Sequence, residues 1–178
     1  MKKNKKEVKN LIIRYFLLLV FLFIGLKLVY FIFEPLTRYP VYWLLDIFYN
    51  VSLSNSIILF PGLNFIEIAG ACIAGSAYLL FLILNLSTPK ISLLKRLKLL
   101  GIAFGSFLIL NIIRIFILGI LVVRDSPSFS FVHSFFWYFL SIIFVVGIWF
   151  FEVKKFNIKH IPFYSDIMFL LNKTRKEV

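Results

Sequence analysis

The sequence predicts an all-α membrane protein: a bundle of about four transmembrane helices, N-in and C-in. An extra interfacial or re-entrant segment is expected at 41–60, and a short amphipathic segment near the C-terminus. Three observations lead there. Of 178 residues, 61% are hydrophobic and 16% charged, with 23 Phe, 8 Tyr and 3 Trp; soluble domains average about 45–50% apolar and about 25% charged. Four apolar runs reach the roughly 20 residues a helix needs to cross a bilayer. Lys and Arg crowd into alternate loops. Such a composition excludes a soluble enzyme, a disordered tail and a collagen-like repeat, and the whole chain, 1–178, reads as one integral membrane domain.

The first span is placed at 11–33. It is too long for a cleavable signal peptide, and Glu34-Pro35 follows where small cleavage-site residues would stand. Next come the apolar runs Val41–Tyr49 and Ile57–Phe60, broken by Asn50, Ser52, Ser54, Asn55 and Ser56. Tyr42, Trp43 and Tyr49 suit a membrane interface; a re-entrant hairpin is the alternative. Further spans are placed at 66–86, 99–123 and 131–151. The stretch Ile161–Leu171 is too short to cross, and is expected on the inner surface or packed under the bundle.

Charge sets the orientation. Residues 1–10 carry five Lys, residues 87–98 carry Lys90, Lys95, Arg96 and Lys98, and residues 152–178 carry six Lys/Arg. The other two loops hold only Arg38 and Arg124. Fifteen of the 20 basic residues therefore fall on one side, which the positive-inside rule makes cytoplasmic. A fifth span at 41–60 would break that pattern. The net charge of +12 is thus mostly topological, so nucleic acid is not an expected partner. Attraction to anionic lipid headgroups is a secondary effect.

Polar residues inside a span are costly, and so informative. Arg14 and Lys27 lie near span ends and can snorkel. Asn85 sits at the inner boundary, and Ser106 and Ser141 can bond to their own helix carbonyls. Arg114 is harder to dismiss. It lies about 13 Å below the end of its span by helical rise, where insertion costs about 2.5–3.5 kcal/mol. Asn111, three residues earlier, shares its helix face. Cys72 is the single cysteine, which excludes a disulfide framework and a multi-Cys zinc site. It stands among Gly70, Ala71, Ala74, Gly75, Ser76 and Ala77. That small face suits close helix packing, and also leaves room for a substrate backbone beside the thiol. His133 opens the last span, where a merely interfacial role is an alternative. The loop-derived topology places Cys72, Arg114 and His133 all in the outer leaflet, within about 15 Å of one another in depth.

Together these groups supply the parts for acyl transfer. A thiolate is the nucleophile, imidazole can move its proton, and a guanidinium can hold an oxyanion or a substrate carboxylate. Two readings without this chemistry compete: a non-catalytic subunit packing through the Gly/Ala face of the second span, and a transport component using Asn111 and Arg114. No metal or organic cofactor is implied.

Three segments carry a family resemblance: Ala71-Cys72-Ile73-Ala74-Gly75-Ser76, Leu110-Asn111-Ile112-Ile113-Arg114-Ile115, and Val132-His133. In order and placement on successive spans they resemble the motifs of the exosortase/archaeosortase family, over roughly residues 60–150. The resemblance implies an intramembrane cysteine transpeptidase with Cys72 as nucleophile, Arg114 as stabilising cation, His133 as acid/base and Asn111 in support. It implies surface-protein substrates with a C-terminal motif, a transmembrane helix and a basic tail. They would be cut outside the membrane, with transfer to an acceptor such as a lipid, or to water. Many members place Gly two residues after the Cys; here Ala74 holds that position and Gly75 follows. Some archaeal members carry Arg in place of the His. Richness in Lys, Ile, Phe and Asn fits an AT-rich genome and an archaeal-type member.

Overall fold

The computed structural model describes residues 2–62, 64–168 and 171, with side chains from residue 9 onward. It is mostly helical, with four helices long and apolar enough to cross a membrane. The basic side chains at 2–6 and those of Lys173, Arg175 and Lys176 lie outside the described residues.

Helix α1 (Lys2–Tyr49) runs unbroken through Pro35 and Pro40. At about 1.5 Å per residue it is about 72 Å long, more than twice the hydrocarbon core. The helix therefore continues 16 residues past the end expected at Phe33. Each proline removes a backbone hydrogen bond, at a cost of about 3 kcal/mol in a helix interior. Tertiary burial offsets that cost: Val41 and Leu45 are fully buried beyond the prolines. Arg38 also binds Glu34 at 3.2 Å, one turn back across Pro35.

The segment 41–60 is therefore not one interfacial or re-entrant element. Its first half completes α1. Its second half enters an antiparallel sheet of β1 (Ser52–Ser54), β2 (Ile57–Leu59) and β3 (Phe65–Glu67), in that order. Ser54 pairs with Ile57, so Asn55-Ser56 is a two-residue hairpin turn. Asn55 takes φ 52°, a left-handed conformation that Asn tolerates. The sheet packs Ile58 and Ile68 onto Val41, Leu45 and Ile115, and forms a cap.

After β3 the chain re-enters the bundle through α2 (Gly70–Ile73) and α3 (Gly75–Ser87). Ile66 and Glu67, expected inside the second span, belong to the sheet instead. Helix α4 (Leu93–Val123) returns to the cap. Helix α5 (Phe129–Phe135) passes through a π-helical turn, Phe136–Leu140, into α6 (Ser141–Lys155). A second core beneath the cap joins Val29, Phe33, Tyr78, Phe81, Phe107 and Ile148. Tyr78 is stacked on Phe33 and meets Phe107 edge-on.

The opposite end is tied by polar clamps. Arg96 is buried and donates to the carbonyls of Asn85 and Thr88, at 2.6 Å for the latter. Asn85 donates back to the Arg96 carbonyl at 3.3 Å. The last carbonyls of α3, which no helix turn can satisfy, are capped in this way. Arg14 does not snorkel freely: it binds Asp166 at 2.7 Å, and Tyr15 adds a bond of 3.2 Å to the same carboxylate. Residues 164–168 form a helical turn that this contact draws under the bundle, while residues 169 and 170 lie outside the described residues.

Candidate active site

The site is built on the break between α2 and α3. Ala74 stands there with φ 55° and ψ 46°. Left-handed geometry costs a residue with a Cβ about 1–2 kcal/mol. The next residue is pinned by packing: a Cβ on Gly75 would lie 2.9 Å from the Tyr30 ring of α1 and 3.2 Å from Leu26. So α3 approaches α1 at glycine, and the chain turns at Ala74 to deliver it.

The break changes the bonding of Cys72. In a continuous helix its carbonyl would accept from the N–H four residues on. Here it accepts from the Asn111 side-chain amide of α4, at 2.8 Å. Asn111 is 1% exposed, so this bond is shielded from water. The Cys72 thiol is half-buried, 3.9 Å from the carbonyl oxygen of Glu67 at the end of β3. Cys72 thus lies where the cap meets the bundle, packed against the cap core.

Arg114, one turn along α4, is 3% exposed. Its Nη1 lies 3.5 Å from Asn111 Oδ1 and donates to Ser141 Oγ at 3.3 Å. Ser141 in turn donates to the Phe136 carbonyl at 2.8 Å, across the π-helical turn. The guanidinium stands 5.7 Å from the centre of the Trp137 ring. Its Nε has no partner, and among the described residues no carboxylate pairs with it. A cavity of about 330 Å³ opens beside it, with Ala74, Ser76, Ala77, Trp137 and Ser141 in its walls.

His133 is one layer further out. Its ring stacks between Phe129 at 5.7 Å and Trp137 at 6.5 Å. It makes no hydrogen bond to Cys72 or Arg114. The structure therefore joins Arg114 to the Cys72 backbone carbonyl through Asn111, and brings His133 toward Arg114 only through the Trp137 ring.

Sequence reasoning missed two parts of this arrangement, and one buried group outside it. Ser141 bonds to its own helix as expected, and its second role toward Arg114 depends on a π turn that no short motif marks. Trp137 stands in an apolar run rich in aromatics, and nothing in that run singles it out. Outside the site, Glu152, one residue past the span placed at 131–151, is 1% exposed inside α6, with Oε1 unpartnered. Its spacing of four from Ile148 and seven from Val145, both buried, was the available signal.

The chain matches no protein-family model, no curated protein and no solved structure.

Proposed function

We propose that this protein is a cysteine transpeptidase of the exosortase/archaeosortase type. The observation that carries the reading is Arg114: a buried cation with no counter-ion among the described residues, linked through Asn111 to the backbone of the only cysteine. A cation held unpaired in an apolar bundle is costly. A negative charge arriving there during reaction would be stabilised strongly.

The Cys72 thiolate attacks the scissile carbonyl carbon, and the oxyanion that develops is held by Arg114. The carbon–nitrogen bond then breaks, and the amine leaves with a proton. The acyl group remains on sulfur as a thioester. Water, or an acceptor amine such as one carried by a lipid, attacks that carbonyl and releases the thiolate. His133 is assigned the proton transfers. The Trp137 ring stands between its imidazole and Arg114.

In this reading the loops rich in Lys and Arg face the cytoplasm, and the cap and Cys72 face outside. The protein is a multi-pass component of the cell membrane. Its substrates are surface proteins with a short motif, one spanning helix and a basic tail. Their tails would obey the same charge rule and bring the motif level with Cys72.

The test is a membrane proteome of the source organism carrying wild type or Cys72→Ala. Tailed precursors should accumulate in the variant, and a thioester adduct should be trapped on wild-type Cys72. Normal processing in the variant ends the proposal. The unpaired Arg114 also favours a second reading, an anion-handling transport component. Tolerance of Cys72→Ser with loss of function in Arg114→Ala would select it. The packing-subunit reading has less support, because Gly75 already packs on Tyr30 within the chain.

A further inference from the structure

At the end of the bundle opposite the cap lies a cavity of about 580 Å³. Four parts of the chain converge on it. Helix α1 contributes Arg14, the α3–α4 connection contributes Lys90, the first turn of α4 contributes Arg96, and the C-terminal stretch contributes His160 and Asp166. Among the described residues one carboxylate, Asp166, lines it, and that group already accepts bonds from Arg14 at 2.7 Å and Tyr15 at 3.2 Å. Even so, Arg14 Nη1 is buried without a partner. Lys90 and His160 make no ion pair among the described residues. Lys90 is held at φ 58°, an unfavourable conformation for a residue with a Cβ. A smaller hollow continues from the cavity past Lys90 and His160 to Lys95 and Lys159.

We propose that this cavity binds a phosphate group, presented by the head of an anionic membrane lipid. Cations arriving from several directions fit an anion with several acceptor oxygens. Basic pockets between spanning helices are a recognised form of lipid headgroup site. The apolar part of the wall distinguishes the source. Leu11, Ile13 and Leu93 line the same cavity, and Leu93 is 74% exposed. An acyl chain has a use for that surface, and free phosphate has none. This inference stands apart from the peptidase reading, since it uses none of the groups around Cys72.

The experiment uses the purified full chain in mild detergent. Native mass spectrometry follows retention of phosphatidylglycerol against an equal amount of phosphatidylcholine. Wild type should retain phosphatidylglycerol preferentially. The double variant Lys90→Gln/His160→Gln should weaken that preference about fivefold or more, since the Lys90 charge alone is worth about 1 kcal/mol near the headgroups. Lys154→Gln/Lys155→Gln removes two exposed cations of α6 outside the cavity, and should leave the preference intact. Both variants should unfold at the wild-type temperature, because none of the four side chains is buried. Equal retention of the two lipids, or an unchanged preference in Lys90→Gln/His160→Gln, overturns the proposal. Displacement of the lipid by millimolar inorganic phosphate would overturn the assignment to a lipid.

Discussion

Ala74 adopts a conformation that glycine takes without penalty and alanine does not. Ala74→Gly should therefore stabilise the protein, by about 1 kcal/mol once glycine's greater freedom in the unfolded chain is subtracted. Thermal unfolding in detergent measures this, and a lower midpoint would show that no strain is stored at the break. Arg114→Lys is the complementary test of chemistry. Lysine keeps the charge but is shorter and lacks the planar guanidinium, whose Nη1 reaches both Asn111 and Ser141. Processing should fall about 100-fold, the size expected when one oxyanion donor is lost, while the unfolding midpoint stays near wild type. An equal fall in midpoint would assign Arg114 to the fold instead. At this scale the sequence was informative wherever cost exposes a residue. Arg114 and Asn111 stood out because lipid penalises them, and they are bonded partners of the Cys72 region. His133 sits at a boundary where imidazole costs little, and there the sequence could not fix its neighbours. Ser141 and Trp137 carry no such cost, and only the three-dimensional arrangement reveals them.

The helices show how packing overrides local preference. Glu34-Pro35 reads as a terminus, yet α1 continues, because Val41 and Leu45 are buried between the sheet and α4. Leu45→Ala should therefore cost about 2–5 kcal/mol, as for other fully buried leucines, and should loosen the cap while the spans below remain inserted. Proteolysis between residues 50 and 69 reports this; unchanged resistance would mean that the cap does not depend on α1. The three-residue strands were illegible for a different reason. Alternation needs four or more residues to be read, so each strand looked like a fragment of a broken apolar run. The Arg14–Asp166 pair likewise joins residues 152 apart in sequence, beyond any local pattern. With side chains 13% and 7% exposed, the pair is partly shielded from solvent. Asp166→Ala alone should cost about 2 kcal/mol by stranding the guanidinium, less than the 3–5 seen for fully buried pairs. Adding Arg14→Met should recover most of the loss. Failure of the second change to rescue would place the effect in the C-terminal turn itself.

For the molecule as a whole, the bundle was legible because apolar length and loop charge are properties of long stretches, insensitive to where any helix ends. The cap and the break at Ala74 were not, since they follow from contacts between stretches. The same distinction fixes what orientation depends on. The reading N-in and C-in rests on fifteen cations in three segments, and Cys72 is the only native thiol. In a Cys72→Ser background, single cysteines placed at Ser52 in the cap and at Ser128 before α5 should react with a membrane-impermeant maleimide added to intact cells. A cysteine at Ser92, beside the Lys90–Lys98 cluster, should react only after the membrane is opened. All three positions are exposed, so weak labelling would not come from burial. Labelling of Ser92→Cys alone in intact cells would invert the bundle. It would put Cys72 and Arg114 on the side that holds no surface-protein motif, and the transpeptidase reading would fall with the topology.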